Sequence, residues 1–158
     1  MQTIKPFLWF DNNAEEAVNF YLSVFPQARV TEILHCPEGG PLPVGSVLTV
    51  QFEVNGIRIV ALNGGPEHCF TEAISLMVPC ETQVEIDDLW SKFIAGGGQE
   101  IACGWLRDRF GVSWQITPHN IAQLLSGRDA EGGKRAMAAM MQMTKLNIAE
   151  LERAGGLA

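Results

Sequence analysis

Histidine and cysteine are the side chains here best suited to hold a metal ion or attack an electrophile, so their spacing is the first question. The histidines stand at His35, His68 and His119, and the cysteines at Cys36, Cys69, Cys80 and Cys103. A helix-borne metal site needs ligands at i and i+4, and a zinc clasp needs C-x-x-C pairs. Neither spacing occurs. Each histidine therefore reads as an ordinary solvated or hydrogen-bonded side chain. His68 is the exception worth carrying forward, because it adjoins Cys69 in a loop between two structured segments and could serve as a general base. The cysteines read as reduced and inert, with Cys80, just after a strand, and Cys103, within one beside Gly104-Trp105, as buried thiols.

Aromatic and basic residues supply the next candidates. Trp9, Trp90, Trp105 and Trp114 could wall a flat ligand. Trp90 falls on a helical apolar stripe and Trp114 alternates with Gln115 along a strand, so both read as core. Trp105 precedes a charged turn and is placed near a ligand. Arg107 and Arg109 bracket Asp108 as turn charges, although Arg109 could meet a carboxylate. Two glycine clusters fail as cofactor cradles. Gly64-Gly65 runs into Pro66 and an irregular loop, and Gly96-Gly97-Gly98 follows a helix, whereas a nucleotide or S-adenosylmethionine cradle lies between a strand and the helix after it.

The elements that position these residues come in two copies. Ala17, Phe20, Tyr21, Val24 and Phe25 form an i, i+3, i+4, i+7, i+8 stripe, as do Ile86, Leu89, Trp90, Phe93 and Ile94. Every pair is separated by 69 residues. The expected capping boxes, Asn13 with Glu16 and Thr82 with Glu85, share that offset. A strand precedes each helix, Ile4 to Phe10 and Ile74 to Val78. In the first copy, Ala28 to Cys36, Ser46 to Val54 and Ile57 to Leu62 follow as strands. Asn55-Gly56 between the last two predicts a type I′ hairpin turn. In the second copy, Glu100 to Trp105 and Val112 to Thr117 are strands, with one further short strand left indefinite. Gly64 to Phe70 links the copies. Glu131 to Met143 predicts a helix bearing Met137, Met140 and Met141 as core cover or a dimer face, and Asn147-x-x-Glu150 predicts the cap of another.

Composition sets the outer limits. The 158 residues suit one domain, with module 1 at about 1–63, module 2 at about 70–126 and a helical extension at about 127–158. A net charge of −7 with dispersed basic residues argues against nucleic acid or an anionic membrane as partner. No apolar run approaches the ~20 residues of a membrane span, and no signal peptide is recognisable. Four cysteines without close spacing point to a reducing, cytoplasmic setting.

A family resemblance rests on particular residues. Phe7-Leu8-Trp9-Phe10 with Phe20-Tyr21, and Asp108-Arg109-Phe110-Gly111 leading into Ser113-Trp114-Gln115, resemble the vicinal-oxygen-chelate (glyoxalase/bleomycin-resistance/dioxygenase) superfamily. Asn63-Gly64-Gly65-Pro66 and Cys103-Gly104-Trp105-Leu106 resemble its PhnB-like branch, often labelled 3-demethylubiquinone-9 3-methyltransferase. The resemblance implies an α+β fold: two tandem βαβββ modules forming a curved mixed sheet around a cleft, often in a homodimer. It also implies a divalent metal held by one His or Glu on each of four strands. Those positions fall here on Pro6, Ser75, Val60 and Gln115, so no metal and no cofactor is expected. The leading expectation is a metal-free binder of a small molecule, lined by Leu8, Phe10, Asn63, Ser75, Met77, Trp105 and Gln115. Two alternatives stay open: a metal-dependent enzyme using His68, Gln115 and Asn63, and a non-catalytic homodimeric assembly module. Methyl transfer is disfavoured by the glycine contexts above.

Overall fold

The computed structural model describes residues 4–158, and it divides after Phe70 into two units, each with its own sheet. The first comprises β1 (Phe7–Phe10), α1 (Ala14–Val24), β2 (Arg29–His35), β3 (Val47–Val54) and β4 (Ile57–Asn63). Its strand order is β1-β4-β3-β2, with β1 parallel to β4 and the other pairs antiparallel. The second comprises β5 (Leu76–Cys80), α2 (Gln83–Ala95), β6 (Gln99–Glu100), β7 (Trp105–Arg107) and β8 (Ser113–Pro118). Its order, β5-β8-β7-β6, repeats the first, again with one parallel pair between the opening and closing strands. Three helices complete the α+β chain: α3 (Ile121–Ser126), α4 (Ala130–Met140) and α5 (Ile148–Gly155).

The expected repeat is thus present as two four-stranded mixed sheets, and the side-chain pattern explains why. In β3, Val50, Phe52 and Val54 are buried while the residues between them are half-exposed, the period-2 signature of a sheet covered on one face. Phe52 stacks on Tyr21 of α1 at 5.9 Å between ring centroids. In the second unit Trp114 of β8 meets Phe93 of α2 at 5.0 Å. Full burial of Phe52, Ile86 and Phe93 stabilises the fold by roughly 1.5–3 kcal/mol each. Asn55 and Gly56 both have positive φ, 48° and 82°, as a type I′ turn requires.

Several sequence expectations change. Asn13 makes no side-chain cap bond at the start of α1. The cap comes instead from β4, where Asn63 Oδ1 accepts the Ala14 N–H at 2.9 Å. The Thr82 box does form, with Glu85 N–H donating to Thr82 Oγ1, but the Glu85 carboxylate returns to the Glu81 N–H rather than to Thr82's own. The strand expected from Glu100 to Trp105 is broken into β6 and β7. Cys103 and Gly104 have φ of 61° and 82°, so they form the turn between them. Cys103 is therefore a half-exposed turn residue, not a buried strand thiol. The helix expected over Glu131 to Met143 runs instead over Ala130–Met140, and α3 precedes it.

Candidate functional site

Strand phase decides which predicted site residues can face a ligand. The helices repeat at an offset of 69 but the leading strands do not, because three residues (Asp11 to Asn13) join β1 to α1 and only two (Glu81, Thr82) join β5 to α2. The strands therefore match at an offset of 70. Leu8 and Phe10 correspond in burial to Val78 and Cys80, all four buried, and Phe7 corresponds to Met77, both exposed. A one-residue slip turns every side chain to the opposite face. The residue matching Ser75 is accordingly Lys5, not Pro6.

This corrects the first-unit half of the expected site. Phe10 pairs with Asn63, whose amide caps α1, so Leu8, Phe10 and Asn63 lie on the helix-covered face as core. The Asn63 amide is fully engaged. Its Nδ2 donates to Glu15 Oε2 at 2.7 Å and to the Val47 carbonyl at 3.0 Å, beside the Ala14 bond at Oδ1. It locks a helix to a strand and has no donor to offer a ligand. On the other face of this sheet, Lys5 Nζ donates to Gln51 Oε1 at 3.0 Å and Gln51 Nε2 donates to Glu32.

In the second unit the predicted residues do come together. Met77, Gln115 and Trp105 are direct neighbours across β5, β8 and β7, so their side chains share one face. Trp114, one residue along, packs on α2, which puts the Gln115 side on the opposite face. Ser75 joins it there, its Oγ accepting from Gln115 Nε2 at 2.7 Å. Of the four tryptophans, Trp9, Trp90 and Trp114 donate their indole N–H to Gly65 O, Glu100 Oε1 and Asp108 Oδ2. No such bond occurs for the half-exposed Trp105 among the described residues. Its ring and its donor are both available.

Two residues overlooked in the sequence belong to the same face. Ser113 and Thr117 flank Gln115 at period 2, and both hydroxyls are buried without a hydrogen-bond partner among the described residues. The alternation Ser113-x-Gln115-x-Thr117 was the available signal. Arg107, opposite Ser113, donates to Gln99 Oε1 at 2.6 Å and lies 3.8 Å from Glu72. Behind this layer, burial and the Glu85 carboxylate push the Cys80 thiol up to about 11. Arg109, the other basic candidate, donates to the Gly96 carbonyl and lies over the Phe110 ring.

Each histidine has contacts within its own unit. His35 Nδ1 meets the Gly45 carbonyl at 3.0 Å, and His119 Nδ1 lies 3.2 Å from Glu81 Oε2. His68 is exposed and stands edge-on to Trp9 at 4.8 Å. Among the described residues, no three His, Cys, Asp or Glu side chains gather as a metal site. The positions where the superfamily pattern places ligands do not fit a divalent ion: Val60 is aliphatic, Lys5, the strand mate of Ser75, is cationic and donates to Gln51, and Ser75 and Gln115 are neutral and bonded to each other. Among the described residues, no glycine turn runs from a strand into a helix as an S-adenosylmethionine cradle would.

Two βαβββ copies with this strand order build a glyoxalase-type fold. The family model described as 3-demethylubiquinone-9 3-methyltransferase matches residues 2–117, and the chain belongs to that family, the PhnB-like branch of the vicinal-oxygen-chelate superfamily. A PhnB protein from Bacillus cereus, described by the same methyltransferase name, is 39% identical over 74% of this chain and 99% of its own, with a TM-score of 0.65. Protein PA1353 from Pseudomonas aeruginosa (20% identity, 75% of this chain and 98% of that one, TM-score 0.63) shares the fold. So does a Bacillus cereus structure titled "possible Glyoxalase" (12% identity, 73% and 97%, TM-score 0.54). No curated protein matches the chain. No helix among the described residues is long and apolar enough to cross a membrane.

Proposed function

We propose that this chain is a metal-independent small-molecule-binding protein whose ligand lies on the face of the second sheet bearing Ser75, Met77, Trp105 and Gln115. The observation that carries this reading is the register of β5, β8 and β7, which lines up a thioether, a primary amide and an indole with an unspent N–H. An apolar surface with a few convergent polar groups is the usual composition of a ligand site. Trp105 and Met77 offer a platform for a flat ring. Ser75, with its oxygen accepting from Gln115, keeps its own proton to donate to an acceptor on the ligand. The methyltransferase name carried by the family is not part of this proposal, since no glycine turn among the described residues joins a strand to a following helix as a cradle for the methyl donor.

The protein is proposed to act in the cytoplasm as a homodimer. The free cysteines and the exposed apolar residues of the edge strand β2 (Val30, Ile33, Leu34) support that setting and that assembly. Sedimentation at micromolar concentration tests the assembly, and a monomer would refute it.

The ligand reading is tested by thermal-shift titration with benzoate and phenylphosphonate as probes of a ring carrying an acceptor. A ligand at a hundred times its dissociation constant stabilises the native state by about 2.7 kcal/mol. The shift is expected to vanish in Trp105→Ala and Gln115→Ala. Equal shifts in the parent and both variants would exclude this face. Stoichiometric divalent metal in the purified protein, lost in Gln115→Ala, would overturn the metal-independent reading.

A further inference from the structure

Residues 118–158 lie beyond the family match, yet part of this extension is bonded to the turn that carries Trp105. The helices α3 to α5 form their own apolar cluster, with Leu124, Met143, Leu146 and Leu151 at its centre. Between α4 and α5 the chain from Met143 to Ile148 runs as a strap across the second unit. The Cys103 N–H donates to the Met143 carbonyl and the Gly104 N–H to the Thr144 carbonyl, both at 2.7 Å. These two amides belong to the two positive-φ residues directly before Trp105. The turn therefore orients both donors toward the strap.

The space around the turn is equally committed. A Cβ on Gly104 would come within 2.9 Å of Leu146 and of the Ile116 carbonyl, so the glycine is wedged between strap and β8. The strap is in turn clamped to the first turn of α2. Gln83 Nε2 donates to the Leu146 carbonyl at 3.1 Å, and its Oε1 accepts the Ile148 N–H at 2.9 Å. Lys145 adds an ion pair to Asp87 at 2.6 Å. A single amide side chain thus joins α2 to the downstream end of the strap, at Leu146 and Ile148, while the upstream end, at Met143 and Thr144, holds the turn.

From this we infer that the C-terminal extension is a positioning element of the ligand face, in which Gln83 clamps the strap, the strap fixes the Cys103–Gly104 turn, and the turn sets Trp105. The role assigned to Trp105 rests on the function proposed above; the mechanical coupling does not. Gln83 and the strap are positioning residues, since their bonds run to the turn and not to Trp105's face.

The test is Gln83→Ala in the full chain, read by amide hydrogen exchange and by acrylamide quenching of Trp105, isolated as the difference from Trp105→Phe in each background. The expected result is exchange faster by roughly tenfold at Ile148, Cys103 and Gly104, as loss of a single hydrogen bond would give. Quenching of Trp105 should steepen, while amides in the β5–β8 ladder keep their protection. Gln83→Glu, which keeps the acceptor for Ile148, should restore protection at that amide. Faster exchange at Ile148 with unchanged turn amides and unchanged quenching would overturn the proposal, because the strap would then be cover alone. Unchanged exchange at Ile148 would overturn it too, because Gln83 would not be the clamp. Neither readout needs a ligand. If benzoate and phenylphosphonate both fail to bind the parent protein, the ligand reading falls while the coupling is still decided.

Discussion

Removal of the Asp108 carboxylate should cost more stability than any other single change in the turn between β7 and β8. Asp108 is buried, at 3% exposure. Its Oδ1 accepts the Phe110 and Val112 N–H groups at 2.9 and 3.0 Å, and its Oδ2 accepts the Trp114 indole at 2.9 Å. Asp108→Ala leaves three donors without this acceptor. Phe110 is half-buried, so water can replace the lost bond there. The Val112 amide and the indole are buried and cannot be resolvated without opening the sheet. An unsatisfied buried donor costs roughly 1–3 kcal/mol, so the two together set a loss of about 3–4 kcal/mol after partial relaxation. Urea unfolding followed by circular dichroism measures it. With a urea slope of about 2 kcal/mol/M, the midpoint should fall by roughly 1.5–2 M at unchanged slope. Asp108→Asn should cost about half as much, because one oxygen survives for the two backbone donors. A loss below ~1 kcal/mol for the alanine variant would refute the claim that this carboxylate holds the turn.

Asn63→Asp should destabilise the first unit by about 2 kcal/mol, since it replaces the donor to Val47 and Glu15 with a second carboxylate beside Glu15; a midpoint unchanged at neutral pH would contradict it. The hydrogen bond from Lys145, and then that from Gln83, holds the Asp87 carboxyl below its usual range. A lowered folded-state pKa contributes stability that is present above the unfolded carboxylate pKa and is lost as pH falls through the folded one. Protection of the Ile148 amide should therefore decline on acidification, and Asp87→Asn should flatten that decline. Iodoacetamide at neutral pH should label exposed Cys69 and spare Cys80, whose thiol, at about 11, stays protonated and buried. Equal labelling by peptide mass spectrometry would show that the second unit opens at Cys80.

Most of the fold was readable because its signals are local. Two helical stripes at one offset and an Asn-Gly turn declare the repeat without any long-range information. The errors arose where a contact from elsewhere in the chain outweighed a local signal. Asn13 looks like a cap, but Asn63 from a distant strand holds the Ala14 amide instead. Cys103 looks like strand, but Cys103 and Gly104 both take positive φ and donate to a strap that begins forty residues downstream at Met143. The largest misreading came from carrying the helical offset into the strands. Helices tolerate a shifted residue with a 100° rotation, whereas a strand has only two faces, so one extra linker residue moved Leu8 and Phe10 from the expected ligand face into the core. Ser75, Met77, Trp105 and Gln115 lie within the second unit, so their common face follows from the register of β5, β8 and β7 whatever offset relates the copies.

The chemistry of the proposed face follows from its neutrality. A divalent cation surrenders much of its hydration on binding, and charged carboxylates or basic imidazoles ordinarily compensate that cost. Ser75 and Gln115 could offer only uncharged oxygens, and one of these already accepts a hydrogen bond. The same pair suits a small organic molecule well. A neutral amide–hydroxyl bond can be exchanged for two bonds to a ligand without stranding a charge, whereas breaking a buried ion pair would strand one. Ser113 and Thr117 extend this logic along β8. Their buried hydroxyls have no partner among the described residues, and an unsatisfied hydroxyl in low dielectric gains more from a new partner than one already bonded. Selectivity on such a face would come from matching acceptors to the spacing of alternate strand residues, about 7 Å apart, with the indole of Trp105 fixing the plane of the ring.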